Sequence, residues 1–98
     1  MNNGYIYLRT HLSYDIYNVF KLGRTKNIPD RDSTYITGEL IKGYFELVIE
    51  IFDNQKYDDV YVEKLLQTNF KDYNIQKTGG TEFYQQNIIN EIHVLLLK

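Results

Sequence analysis

"FKLGRTKNIPDR", residues 20–31, is where the chain changes from strand to helix, and its reading sets the fold. Phe20 and Leu22 alternate with Val19 and Lys21, the two-residue period of a strand with one face toward a core. Gly23 ends that alternation. Pro29 lacks the N–H that the first turn of a helix leaves unpaired anyway, so it favours a helix start. The stretch reads as the end of a strand over 17–23, a polar connector, and a helix over about 29–36 that Gly38 stops. Four cations, Lys21, Arg24, Lys26 and Arg31, fall within it.

On the N-terminal side, Tyr5–Arg9 alternates Ile6 and Leu8 with Tyr5, Tyr7 and Arg9, a strand with one core face and one outward face. His11–Ile16 is a polar connector short enough to make the two strands an antiparallel hairpin. On the C-terminal side, Tyr44–Phe52 is the clearest strand, with Phe45, Leu47, Ile49 and Ile51 alternating with Glu46 and Glu50. Asp58–Asp72 has Val62, Leu65, Leu66, Phe70 and Tyr73 at helical spacing. "KTGGTEFY" (77–84) reads as a turn leading to a short extended piece, and Ile88, Ile89, Ile92, Leu95 and Leu96 make a last amphipathic helix. The order β-β-α-β-α-α implies an α+β fold: a small antiparallel sheet of about three strands flanked by helices. Residues 1–98 are expected to form one domain.

Composition narrows the classes. A chain that is 43% hydrophobic and 24% charged is not a disordered one. It has no cysteine, which excludes disulfides and thiolate metal sites. No apolar run approaches the roughly 20 residues of a membrane helix, and there is no signal-peptide core, so a soluble intracellular protein (cytoplasm, or host cell if viral) with no membrane partner is expected. Alanine is absent while Asn, Ile, Lys and Tyr abound, a usage that suits an AT-rich coding genome better than a fold requirement. The net charge of −2 weighs against a dedicated nucleic-acid binder. Its distribution weighs the other way: residues 1–31 carry five cations and two acids, a balance of +3.

Tyr7 and Lys21 sit on two strands that should pair, Arg31 lies early in the next helix, and Glu63 borders the long helix's apolar stripe. These types suit phosphodiester hydrolysis. A phenolate can take a proton from water, a guanidinium can hold a phosphate bidentately, and a carboxylate can hold Mg²⁺. Taken singly, each has a plainer reading. Tyr7 is an ordinary strand tyrosine, Lys21 and Arg24 are edge charges that blunt sheet pairing, and Arg31 pairs with Asp30 or Asp32. Glu63 finds no cation four residues away on its own helix. Glu82 is a turn or cap carboxylate, His11 and His93 are surface residues, and Gly79-Gly80, with no Lys-Ser/Thr after it, is not a P-loop.

The ordered set resembles the GIY-YIG endonuclease domain. "GYIYLR" (4–9) is similar to the first motif, with Tyr7 rather than Tyr5 as its tyrosine because Leu8 follows. "KLGRTKNIPDR" (21–31) is similar to the second motif, its loop and the family arginine, Arg31. "RDSTY" places Tyr35 as the helix tyrosine, "VEKLLQTNF" places Glu63 at the start of the metal-binding helix, and "GTEFY" with Glu82 resembles the close of the viral and phage branch. Lys21 replaces the tyrosine of the second motif, as is common in that branch, and Asn74 is the counterpart of a late asparagine in some members.

The resemblance implies a metal-dependent endonuclease that hydrolyses DNA phosphodiester bonds, nicking or reading DNA structure, with Mg²⁺ or Mn²⁺. Tyr7 would be the general base, Arg31 would stabilise the pentacoordinate phosphate, and Glu63 would be the single protein ligand to the metal. Tyr35 and Arg24 would contact the phosphate or tune the base. Lys21 and Arg24 would lower the Tyr7 pKa from about 10 by favouring the phenolate. Specificity would come from a partner protein, a homodimer or the shape of the DNA. The alternative is a catalytically silent relative that binds nucleic acid or protein, and a third reading is an interaction domain that dimerises through its last helix.

Overall fold

The computed structural model describes residues 3–52, 57–75 and 82–96. In chain order the elements are β1 (Gly4–Thr10), α1 (Leu12–Asp15), β2 (Val19–Thr25), α2 (Ile28–Thr37), β3 (Tyr44–Ile51), α3 (Asp59–Asn69), a 3₁₀ turn (Lys71–Tyr73), β4 (Phe83–Gln85) and α4 (Ile88–Leu96). The strands form one antiparallel sheet in the order β3-β1-β2-β4. The expected α+β architecture holds, with a fourth strand where about three were expected. The fourth is the extended piece after "KTGGTE"; residues 76–81 of that turn, including Gly79-Gly80, lie outside the described residues.

The connector His11–Ile16 is not simply a loop. His11 caps a one-turn helix, its Nδ1 accepting from the Ser13 N–H at 3.1 Å. The chain then turns through Asn18, which takes the left-handed φ of 56° that asparagine tolerates better than most residues. That turn uses residues 16–18, so β2 starts at Val19 and runs on to Thr25 rather than spanning 17–23.

β1 lies inside the sheet, and both of its faces are covered. Ile6 and Leu8 face α3 and α4, packing with Phe20, Leu22, Leu66, Phe70, Tyr84, Ile88 and Ile92. Burying each aliphatic side chain there contributes about 1.5–3 kcal/mol. The opposite face, expected to point outward, lies under α2: Tyr7 is 3% exposed and Arg9 0%. Val19, also expected outward, is buried at 3%. A sheet this small would leave one face to water if helices followed it on one side only. Here α2 covers one side and α3 with α4 the other.

α3 starts where its sequence says. Asp58 is the N-cap, its Oδ1 accepting from the Tyr61 N–H at 2.8 Å. Leu65 does not join the apolar stripe as expected: it is 40% exposed, while Leu66 is 1% exposed. On a 100° wheel Val62, Leu66 and Phe70 share a face, and Leu65 stands off it. α4 buries Ile88 and Ile92 in the core of the same chain, which occupies the apolar face a helix-mediated dimer would need.

Candidate active site

Tyr7 stands directly opposite Gly23 in the β1–β2 register. A Cβ at Gly23 would collide with the Tyr7 hydroxyl, so the glycine's missing side chain is what lets the phenol lie across β2. A register shift between Leu8 and Arg9 sets Phe45 opposite Arg9 and brings its ring edge-on to Tyr7, with centroids 5.0 Å apart. Tyr35, in the third turn of α2, places its hydroxyl 2.8 Å from that of Tyr7. Over the Tyr35 ring lie the Arg9 guanidinium at 4.3 Å and Lys21 Nζ at 4.9 Å.

Asn27 starts α2, its Oδ1 accepting from the Asp30 N–H at 3.0 Å, and Arg31 follows in the first full turn. Asp32 does not pair with Arg31; it turns inward to Arg9 at 3.0 Å. Arg31 therefore has no ion pair or side-chain hydrogen bond among the described residues. On the other side of β2, Arg24 reaches α3, with Nε 3.3 Å from Glu63 Oε1 and Nη1 3.4 Å from Asp59 Oδ2.

These elements enclose a cleft of about 320 Å³. Tyr7, Lys21, Arg24, Arg31, Tyr35 and Glu63 all line it. Leu22, Gly23, Gln67 and Glu82 complete the wall. The six side chains given site roles in the sequence thus meet in one place, drawn from β1, β2, α2 and α3. Tyr5 lies outside the cleft, against Glu50, whose charge and hydrogen bond raise its pKa. Asn74 is not in the wall either; it bridges to Tyr84.

The electrostatics depart from expectation at Tyr7. Burial and the hydrogen bond with Tyr35 push its phenol well above the usual tyrosine range, and the opposing pull of Arg31 and Lys21 does not overcome them. The neighbouring cations therefore do not hold Tyr7 as a phenolate in the ligand-free protein. Tyr35 is also raised, by burial first, with Arg31 and Arg9 opposing. Burial raises Glu63 too. Arg24 opposes that shift, and the carboxylates of Asp59 and Glu82 reinforce it.

Asp59 has no place in the sequence reading, yet it organises one wall. It is fully buried at the first position of α3 and takes Lys26 Nζ at 2.6 Å as well as Arg24. Burial would raise its pKa, but Lys26 and Arg24 outweigh burial and hold it below the usual range. Gly4 makes room for it, since a Cβ there would strike the Asp59 carboxylate. The one signal was the doubled acid "DD" at 58–59, of which the N-cap needs a single member. Its partners lie 33 and 35 residues upstream, beyond the reach of any local pattern.

A scan of family models matches residues 4–95 to the T5orf172 domain. The chain belongs to the T5orf172 domain family. This is a phage-associated domain related to nuclease-type modules, and the matched span takes in every element that builds the cleft. No curated protein and no solved structure matches the chain.

The T5orf172 cleft presents oxygen atoms of the kind a hard divalent cation takes. Glu63 offers a half-buried carboxylate that is paired with Arg24, with the negative charges of Asp59 and Glu82 nearby. Glu82 and Gln67 add oxygen atoms to the same wall. Among the described residues, no three His, Cys, Asp or Glu side chains are grouped to hold a metal. Glu63 is the side chain that would hold Mg²⁺ or Mn²⁺ if one carboxylate, with water and phosphate oxygens, completed the coordination, an arrangement Mg²⁺ tolerates. No helix among the described residues is long and apolar enough to cross a membrane.

Proposed function

We propose that this T5orf172 domain is a metal-dependent endonuclease of the GIY-YIG type, hydrolysing DNA phosphodiester bonds one strand at a time. The observation that carries the reading is the convergence of Tyr7, Arg31 and Glu63 on one polar cleft. A phosphate entering it meets Arg31, whose guanidinium no described acid neutralises. Arg31 grips the non-bridging oxygens and holds their charge as it grows in the transition state. Lys21 and Arg24 add positive charge on the β2 side. The Tyr7 oxygen, fixed by its bond to Tyr35, orients the attacking water. It takes that water's proton only as a phenolate, after its own proton has left to bulk solvent, a loss that Arg31, Lys21 and a bound cation would favour. A divalent cation at Glu63, when bound, supplies Lewis-acid charge against the phosphate and lowers the pKa of nearby water. Arg24 must loosen from Glu63 as that carboxylate takes up its ligand.

The test is cleavage of duplex, nicked, branched and single-stranded DNA with Mg²⁺ or Mn²⁺ by wild type, Glu63→Ala and Arg31→Ala. Metal-dependent cutting that both substitutions abolish is the expected result. Wild type cutting no better than either variant on every DNA form would sink the reading.

One observation favours a second reading, a silent relative that only binds nucleic acid. In the ligand-free protein Tyr7 is held protonated, and Glu63 is paired with Arg24. DNA affinity that falls steeply with salt and no turnover in any metal would select it.

A further inference from the structure

We propose that Arg9, buried beneath the cleft, is the positioning residue that sets helix α2, and with it Tyr35 and Arg31, against the sheet. The catalytic half of this inference rests on the nuclease reading above; the positional half stands without it. Arg9 is 0% exposed on the central strand, and its guanidinium makes two ion pairs, Nη1 to Asp32 at 3.0 Å and Nη2 to Glu39 at 2.7 Å. Asp32 lies in α2 and Glu39 just beyond its C-terminal cap, Gly38, seven residues on and on the same side of the helix. Between them sits Tyr35, its ring 4.3 Å from the guanidinium carbon, while Phe45 closes the stack at 4.9 Å.

α2 needs such a hold. None of its own side chains is fully buried, so it lacks the apolar anchors that fix α3 and α4. A buried ion pair adds little net stability once desolvation is counted, and its better attested effect is on which geometry is adopted. Among the described residues Arg9 Nε has no hydrogen-bond partner, so the guanidinium is held for its two pairs and its stack rather than for complete satisfaction. Through them one side chain holds the middle of α2, next to Arg31, and the chain just past its C-terminal end, with Tyr35 between. The network continues outward: Glu39 Oε1 also accepts from the Gly43 N–H at 3.2 Å, tying down the loop into β3.

The test removes the network as a unit, because deleting Arg9 alone would leave two partly buried acids without it. In the triple variant Arg9→Met/Asp32→Asn/Glu39→Gln, the new glutamine keeps an acceptor for Gly43. Amide exchange and ring-to-ring contacts are read by NMR on the whole chain. The expected result is loss of the Tyr7–Tyr35 contact and faster exchange in α2, with β1–β2 protection kept. Single-turnover cleavage should fall about 10²-fold with DNA affinity little changed, the signature of misplacement rather than lost binding. Retention of the Tyr7–Tyr35 contact and α2 protection would overturn the proposal, as would unchanged cleavage with α2 released. If the wild type cuts no DNA, the nuclease reading fails separately and the NMR result still decides the positional claim. Should the triple variant not fold, Asp32→Asn and Glu39→Gln, each removing one arm, carry the same measurements.

Discussion

The hydroxyls of Tyr7 and Tyr35 lie 2.8 Å apart, a single hydrogen bond that joins the central strand to the helix carrying Arg31. It does two things at once. It fixes the Tyr7 oxygen in the cleft, and it helps to keep that phenol protonated, because a hydrogen bond to the neutral form opposes ionisation.

That coupling predicts a direction for pH. If Tyr7 receives the proton from water, the cleavage rate should climb through the alkaline range without levelling near neutrality. Tyr35→Phe removes one of the causes that raise Tyr7, so its profile should move toward lower pH. A variant profile superimposable on wild type would contradict the coupling. Stability should respond as well. Both phenols have folded pKa values above the ordinary 10, so their contribution is intact below about pH 10 and lost as pH rises beyond it. Denaturant unfolding from pH 8 to 11 measures this.

Gly23→Ala should cost both stability and activity, since its Cβ would press on the Tyr7 hydroxyl. Overpacking of this kind costs about 1–3 kcal/mol. The mark of a local cause is that the double variant Gly23→Ala/Tyr7→Phe recovers most of the stability and none of the cleavage. Two additive losses in a double-mutant cycle would count against it.

Asp59→Asn leaves Lys26 and Arg24 facing a neutral amide. With Asp59 buried and its partners half-exposed, a loss of about 1–3 kcal/mol at neutral pH is expected. The sign with pH follows from the lowered folded pKa of Asp59. Its contribution is present above the unfolded value of about 3.9 and disappears as pH falls through the folded one. The two proteins should therefore differ at pH 7 and converge toward pH 2. A gap that is constant over that range would mean the carboxylate charge is not the cause.

Leu65 and Leu66 are neighbours with opposite surroundings. Leu66→Ala, at 1% exposure, should destabilise by about 2–5 kcal/mol, and Leu65→Ala, at 40%, by well under half of that. Chemical unfolding at one pH decides it. Equal losses would mean α3 is rotated from the orientation that also aims Glu63 into the cleft.

The two leucines also show how far a sequence can be read. Period and helix signals located the larger elements: Pro29 and Gly38 bracketed α2, apolar spacing from Asp58 marked α3, and alternation marked β1 and β3. The element order put Tyr7, Lys21, Arg31 and Glu63 within reach of one another, and the resemblance to the GIY-YIG domain added Arg24 and Tyr35; all six line the cleft. What stayed hidden was set by long-range contact. Arg9 reads as an outward strand residue until Asp32 and Glu39, 23 and 30 residues away, fold over it. Asp59 reads as a spare acid until Arg24 and Lys26 reach it. The state of Tyr7 turned on magnitude: cations were legible in the sequence, but the burial that outweighs them was not.

The most direct measurement is the single-turnover rate of DNA cleavage in Mg²⁺ or Mn²⁺ at matched DNA occupancy, for wild type, Arg31→Lys and Glu63→Gln. Arg31→Lys keeps the charge but loses the planar fork, and Glu63→Gln keeps the shape but loses the charge. The account predicts metal-dependent cleavage by wild type and a loss of about 10²-fold or more in each variant, with both still folded. Comparable rates in all three proteins would contradict it.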